Sequence, residues 1–392
     1  SNKILEEQFC PTSKSYANRV LILAALTEKS FLIKDLPQSQ DVIDLINILK
    51  TIGVKFETNN ESVTILNSFP ACEELSDKTL LLPGSEGGTT IRFLLPLLSL
   101  GQNRYVLKLQ GEMPNRPISN LIDNLTKNGA TITRQEDSIS LKGPLAAVGT
   151  FEVDCSETTQ FASALLHLKL VGSFKYNLLN VGNSKKYITL TESLIQKISQ
   201  ENEVIIPADS SSLGYFLVFG CLSQTIKIKN VLKRDKFQAD DYFIDILLEL
   251  GVEIEWDDGL IIHKHNKFTT GFEIDGSQCI DLVPTLMLLA AFIPFESRIK
   301  NIKTLEHKES NRLYEMKKIL DTVGVCYTYS FENDEMLIRG KISYSKIEGI
   351  KTANDHRMIM ISALFLKLLG GGKLQPYKGV KKSFKDFFMI FS

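Results

Sequence analysis

The chain has 392 residues, 43% hydrophobic and 23% charged, an ordinary globular balance that excludes wholesale disorder. Its 45 Lys and Arg stand against 46 Asp and Glu, and a net charge of −1 offers no basic footprint for nucleic acid and no polybasic membrane anchor. The longest uncharged apolar stretch, Leu282 to Phe295, has 14 residues, short of the roughly 20 that span a bilayer.

From the start of the chain, SNKILEEQFC carries two glutamates and no hydrophobic leader core, so no secretory signal is expected and the cytoplasm is the expected compartment. The cysteines Cys10, Cys72, Cys155, Cys221, Cys279 and Cys326 lie 47 to 83 residues apart without a CxxC pair, which predicts reduced, mostly buried thiols. His263 and His265 would share one face of a strand, where a metal could sit, but with no third ligand nearby a solvated strand face is the expectation.

A polar cluster running into an almost wholly apolar stretch recurs along the chain: PTSKSYANRVLILAAL, GSEGGTTIRFLLPLLSL, SETTQFASALLHL, ADSSSLGYFLVFGCL, DLVPTLMLLAAF and NDHRMIMISALFL. The apolar stretches begin near Val20, Phe93, Phe161, Tyr215, Leu286 and Met358, in steps of 73, 68, 54, 71 and 72 residues. Helices apolar on every side must be buried. Between them come helices ending at Gly53, Gly129, Gly251 and Gly324, each followed by two alternating runs joined by a polar turn. Those glycines read as C-caps and the runs as hairpins, absent from the third copy of each set of three. The pattern predicts an α+β fold of two domains with three repeats each, each repeat a buried helix, an outer helix and several strands. The chain should cross between domains near Pro11 and near Ile205–Asp209, giving residues 12–206 as one domain and 1–11 with 207–392 as the other.

Each buried helix is preceded by residues that cap helices or bind anions: Lys14 and Ser15, Thr89 and Thr90, Thr158 and Thr159, Ser210 to Ser212, Asp281, and Asn354 with Asp355. Cations stand beside several of these starts (Lys14, Arg19, Arg92, His356, Arg357), and others lie in NRPI (Arg116), HKESNR (Lys308, Arg312) and KKSF (Lys381, Lys382). In a near-neutral protein this pairing of cations with glycines and hydroxyls predicts a small, strongly anionic substrate. Neither GxxxxGK[ST] nor GxGxxG occurs, which argues against nucleotide-dependent kinases and dehydrogenases.

The series KSYANR, GGTTIR, NRPI, TTQF, SKKYI, DSSSLGYF, DLVPTL, KESNR, NDHRM and KKSF, in this order, resembles the 5-enolpyruvylshikimate-3-phosphate synthase family, the 3-phosphoshikimate 1-carboxyvinyltransferases, over about Pro11 to Phe388. The resemblance implies two α/β domains, each of three βαβαββ units around buried parallel helices, an inside-out α/β barrel arrangement. It implies a monomeric transferase of the shikimate pathway toward chorismate and the aromatic amino acids. Shikimate 3-phosphate and phosphoenolpyruvate would bind between the domains without metal, nucleotide or other cofactor, and with no nucleic-acid or membrane partner.

Residue by residue, the resemblance implies that Lys14, Ser15, Arg19, Thr158, Thr159, Gln160, Ser184, Tyr187, Asp281 and Lys308 hold shikimate 3-phosphate. Lys14, Gly88, Arg116, Gln160, Arg312, Arg357 and Lys382 would surround phosphoenolpyruvate, with Lys308 bridging both ligands. Asp281 would be the base toward the 5-hydroxyl, Glu309 the acid and base toward the methyl carbon, and Lys14 would balance developing charge. Thr158 and Thr159 replace two serines, Thr304 replaces an Asn, Asn311 stands where Asp is common, and Glu86 stands where Asn is common. Glu86 is expected to turn from the phosphate subsite, because Gly87 and Gly88 let the backbone turn sharply.

Two rivals are weighed on residues. UDP-N-acetylglucosamine enolpyruvyl transferases share fold and phosphoenolpyruvate chemistry, but they expect KNAAL-like residues after the first Lys and usually a loop Cys. Here Arg19 follows Asn18, and residues 111–117 read GEMPNRP. A catalytically silent relative would suit the Thr304, Asn311 and Glu86 departures, but Lys14, Asp281, Glu309 and His356 are all present.

Overall fold

A computed structural model describes residues 7–59, 62–182, 185–265, 267–340 and 347–391. The chain divides into two compact units, Thr12–Pro207 (the inserted unit) and Ser1–Pro11 with Ala208–Ser392 (the split unit). Each has its own continuous hydrophobic core.

The split unit opens on strand β1 (Glu7–Gln8). The inserted unit then runs α1 (Lys14–Ala25), β2 (Phe31–Lys34), α2 (Gln40–Thr51), β3 (Phe56–Asn59), β4 (Ser62–Ile65), β5 (Leu80–Ser85), α3 (Gly88–Leu98), β6 (Arg104–Leu109), α4 (Ser119–Lys127), β7 (Thr131–Arg134) and β8 (Ser138–Lys142). It ends with β9 (Val148–Asp154), α5 (Gln160–Leu166), β10 (Ser173–Leu179), α6 (Lys185–Gln200) and β11 (Glu203–Ile205). The split unit resumes with α7 (Ser210–Leu222), β12 (Ile226–Ile228), α8 (Tyr242–Glu249), β13 (Ile254–Trp256), β14 (Leu260–Ile262), β15 (Glu273–Asp275), α9 (Val283–Phe292) and β16 (Glu296–Lys300). Then come α10 (Arg312–Val323), β17 (Cys326–Ser330), β18 (Glu335–Arg339), β19 (Gly349–Lys351), α11 (His356–Leu368), β20 (Lys373–Gln375) and α12 (Phe387–Phe391).

The runs β5-α3-β6-α4-β7-β8 and β15-α9-β16-α10-β17-β18 are complete βαβαββ repeats. In each, an apolar helix is the crossover between two parallel strands and a hairpin closes the sheet. The first repeat of each unit borrows its leading parallel strand: β11 pairs with β2, and β1 pairs with β12. Among the described residues the third shows no hairpin and has the two-stranded parallel sheets β9-β10 and β19-β20. The expected apolar stretches are α1, α3, α5, α7, α9 and α11, and nearly every residue of α3, α7, α9 and α11 is buried. In the inserted unit α3 packs on α1 and α5; in the split unit α7, α9 and α11 pack pairwise.

The glycines expected as C-caps all have positive φ, and Gly324 (φ 75) caps α10 in the left-handed region that a side chain disfavours. All six cysteines are free; Cys10, Cys155, Cys221 and Cys279 are buried and Cys326 is exposed. His263 and His265 do not act as a pair. His263 lies 3.4 Å from Glu255, while the His265 ring packs on Phe268 at 4.8 Å. No helix among the described residues is long and apolar enough to cross a membrane.

Capping differs from expectation at α1. Ser13, not Ser15, is the N-cap, its hydroxyl accepting from the Tyr16 N–H at 3.3 Å. Asp209 caps α7 and Asp355 caps α11, whereas Gly87 precedes α3 without a side-chain cap. Ser13 takes the first-turn N–H that a cap must satisfy, and this leaves the Ser15 hydroxyl for other contacts.

The C-terminal helix α12 is held by aromatic packing, Phe391 lying 5.1 Å from Phe216 and Phe387 5.8 Å from Tyr215 between ring centroids. Phe216→Ala opens a cavity at the centre of this cluster and should cost about 3–5 kcal/mol of unfolding free energy, read from a denaturant transition.

Candidate active site

In the inserted unit, Lys14 and Arg19 lie on α1. Lys14 Nζ donates to Asp41 Oδ2 at 2.8 Å, and Asp41, in the first turn of α2, is itself buried. Arg19 is 1% exposed and makes no ion pair with a carboxylate among the described residues. Its Nη1 donates to the Ser15 carbonyl and hydroxyl at 2.9 and 2.7 Å, its Nε to Thr191 at 2.8 Å and its Nη2 to Ser163 at 3.3 Å. Burial draws the guanidinium pKa down to about 10, partly offset by Tyr187. Arg19 thus orders the Ser15 hydroxyl, and the Tyr187 carbonyl accepts from Thr191 in the same network at 2.9 Å. A buried cation held mainly by neutral groups is a strong attractor for an anion.

Thr159 is the buried N-cap residue of α5, and the Thr158 hydroxyl accepts from the Gln160 N–H at 3.2 Å. The Gln160 side-chain oxygen accepts from Arg92 Nη1 at 2.7 Å, and Arg92 also donates to the Pro117 carbonyl at 2.8 Å. Gly88 opens α3 against Arg116. A Cβ on Gly88 would stand 2.5 Å from Arg116 Nη1, so a side chain there would have to displace the end of that guanidinium. Arg116 Nε is buried with no hydrogen-bond partner among the described residues. Glu86 is exposed, its carboxyl packed against Gly111. Ser184 lies outside the described residues.

In the split unit, Asp281 sits just before α9. Its Oδ1 lies 3.2 Å from Arg312 Nη1 and 3.3 Å from Lys308 Nζ, and its Oδ2 lies 3.7 Å from Arg357 Nη2. Burial alone would raise the Asp281 pKa, but Lys308, Arg357 and Arg312 outweigh it and hold the carboxyl well below the usual range. Glu309 meets His356 Nδ1 at 2.8 Å and Lys382 Nζ at 3.4 Å. Against its burial, His356, Lys382 and Arg312 likewise keep it well below the ordinary value. Arg312, 3% exposed, reaches Asp355 Oδ2 through Nε at 2.8 Å, and that oxygen also accepts from Ser310 at 3.0 Å. Asp355 Oδ1 accepts from the Arg357 N–H at 2.9 Å and so caps α11. Asn311 caps α10 through a 2.9 Å bond from the Tyr314 N–H, as an Asp there would, whereas Thr304 is exposed in a preceding turn.

Three contributors escaped sequence reading. Asp41 carried only the weak signal of an acid in a first helical turn. Asp355 was visible as a cap but not as the partner of Arg312. Asp240 is 4% exposed; one carboxyl oxygen accepts from Ser211 and the other has no partner among the described residues. Burial, then the Asp281 charge, pushes its carboxyl up to about 7. Among the described residues, Glu253, Glu255 and His263, and Glu309, Asp355 and His356, are grouped closely enough to ligate a metal. In the second group Arg312 and Lys382 already engage the carboxylates and would oppose a cation.

These shifts fix the sign of the pH dependence. Asp281, Glu309 and Asp355 have lowered folded pKa values, so the stability they contribute is present above about pH 4 and is lost as pH falls below it. Asp240 is raised, so its burial costs stability increasingly from about pH 4 to 7. Asp240→Asn should leave Tm unchanged near pH 4 and raise it by pH 8, measured by calorimetry across that range.

The model of the EPSP synthase (3-phosphoshikimate 1-carboxyvinyltransferase) family matches residues 7–201 and 179–391. The chain is 31% identical to the 3-phosphoshikimate 1-carboxyvinyltransferase of Buchnera aphidicola subsp. Schizaphis graminum, covering 98% of this chain and 94% of that protein. It is 29% identical to that of Photobacterium damsela subsp. piscicida, covering 99% and 96%. Among solved structures, an EPSP synthase from Acinetobacter baumannii superposes with a TM-score of 0.73 at 20% identity, over 97% of this chain and 93% of that one. The enolpyruvyl transferase NikO from Streptomyces tendae superposes with a TM-score of 0.72 at 15% identity, over 100% and 95%. At those identities the two structures speak for the fold alone, while the family match and the closer relatives speak for kinship. The chain belongs to the EPSP synthase (3-phosphoshikimate 1-carboxyvinyltransferase) family.

Proposed function

We infer that the chain is a 3-phosphoshikimate 1-carboxyvinyltransferase: it transfers the enolpyruvyl group of phosphoenolpyruvate to the 5-hydroxyl of shikimate 3-phosphate and releases phosphate, a step of the shikimate pathway. The observation that carries the reading is the pair of carboxylates Asp281 and Glu309, each held by its own set of cations. Each unit is read as one enolpyruvyl transferase domain. Six free thiols suit a reducing compartment, and we place the enzyme in the cytoplasm.

In this reading Ser15, Arg19, Thr158, Thr159, Gln160, Ser184, Tyr187 and Lys308 bind shikimate 3-phosphate. Gly88, Arg116, Gln160, Arg312, Arg357 and Lys382 bind phosphoenolpyruvate. Lys14 serves both and is released from Asp41 when an anion arrives. Asp281 accepts the 5-hydroxyl proton as the oxygen attacks C2, while C3 gains a proton from Glu309 and becomes a methyl group. The tetrahedral adduct then expels phosphate as Glu309 recovers a methyl proton, leaving the enol ether. Glu309 needs a proton for the first half, although its cations favour the carboxylate. Phosphoenolpyruvate supplies the remedy: its negative charges share Lys382 and Arg312 and so raise the proton affinity of Glu309.

Phosphate release with both substrates tests the reading. Release with UDP-N-acetylglucosamine in place of shikimate 3-phosphate, and none with the latter, would overturn it. Asp281→Asn and Glu309→Gln should each lower turnover by at least about 10²-fold. Shikimate 3-phosphate binding, measured by calorimetry, should survive Glu309→Gln better than Asp281→Asn.

A further inference from the structure

Glu315 lies one turn into α10, three residues beyond Arg312, and is 8% exposed. It takes no part in the chemistry above. Its Oε2 accepts from the Thr352 hydroxyl at 3.1 Å and from the Ala353 N–H at 3.0 Å. Lys318 lies 3.2 Å from its other oxygen. Thr352 is buried, and its own N–H donates to the Gln375 carbonyl at 3.0 Å, so its hydroxyl is turned toward α10.

Residues three apart share one helix face. That face of α10 therefore grips the segment leading into α11 at two points of opposite polarity. Arg312, a donor, holds Asp355; Glu315, an acceptor, holds residues 352 and 353. A single contact would leave the start of α11 free to rotate about it, whereas two fix both its position and its direction. What they direct is His356, which meets Glu309, and Arg357, which faces Asp281. Gly379, in the turn that carries Lys382, packs close to this segment, for a Cβ on it would stand 2.9 Å from the Asn354 side-chain oxygen.

We propose that Glu315 is a positioning residue for the phosphoenolpyruvate side of the reaction: it anchors residues 352–353 and thereby sets the first turn of α11, with His356 and Arg357. The inference rests on the family reading of the function. Without Glu315, the buried Thr352 hydroxyl and the half-buried Ala353 N–H lose their acceptor, and the segment must shift to reach water or another partner.

The test is steady-state kinetics with shikimate 3-phosphate and phosphoenolpyruvate on wild type, Glu315→Ala, Glu315→Gln and Thr352→Val, each assayed well below its own Tm. Glu315→Ala should raise the phosphoenolpyruvate KM at least about tenfold, with shikimate 3-phosphate affinity held within about threefold. Glu315→Gln keeps an acceptor oxygen and should restore the KM to within about threefold of wild type. Thr352→Val removes one of the two donors and should raise KM by an intermediate factor; it decides the matter if Glu315→Ala does not fold. A lowered Tm with unchanged phosphoenolpyruvate KM in the variants that fold would make Glu315 a purely structural residue and overturn the inference alone. A wild-type chain silent toward both substrates would overturn the reading of function and the inference with it.

Discussion

Arg312 is almost wholly removed from solvent, where a guanidinium is costly unless its N–H groups are satisfied and its charge is shared. Asp355 and Asp281 share it, and neither is at liberty afterwards. Asp355 is at once the counter-ion and the N-cap of α11, so the charge balance of α10 and the starting point of α11 are one constraint. Asp281 draws Lys308 and Arg357 around it. Glu309, three residues before Arg312, is left to His356 and Lys382. Removing any member would strand a charge in a poorly solvated place, which makes the group act as a unit.

The inserted unit solves a different problem. Arg19 is buried with hydroxyls and a carbonyl as its partners, and Arg92 with the Gln160 amide and the Pro117 carbonyl. Neutral acceptors satisfy the N–H groups without cancelling the charge, and burial draws both guanidinium pKa values down. The split unit thus carries cations already balanced by its own acids, apt for holding carboxylates ionised. In the inserted unit Lys14 has Asp41, but Arg19 and Arg92 are left under-compensated, apt for attracting an anionic ligand. Arg116 beside Gly88 belongs to the second kind, its Nε buried without a hydrogen-bond partner among the described residues.

Much of the scaffold was legible because its signals are local. An all-apolar helix has to be buried wherever it falls, and a glycine after a helical run, followed by alternation of period two, announces a cap and a hairpin. Hence α3, α7, α9 and α11, and the hairpins β7-β8 and β17-β18, could be read one window at a time. The departure of the third repeats from the hairpin pattern was readable in the same way. What could not be read is that β1 and β11 complete sheets whose other strands lie far along the chain, because parallel pairing leaves no turn between partners.

The sequence by itself determined the repeat, the buried helices, and through motif order the family to which the chain belongs. It also supplied the residue types of the candidate site, since Lys14, Arg116, Asp281, Glu309 and Arg357 stand in short recognisable strings. Only the tertiary structure decided which charge meets which. Asp41 faces Lys14 across 27 positions, Asp355 meets Arg312 across 43, and Glu315 takes the Thr352 hydroxyl across 37. It also decided that Ser13 caps α1 while Ser15 serves Arg19, and that Asp240 is sealed beside Asp281. The reason is physical: a propensity acts over a few neighbouring residues, whereas an ion pair or a buried hydrogen bond acts over a few ångströms, and folding alone brings the two scales together.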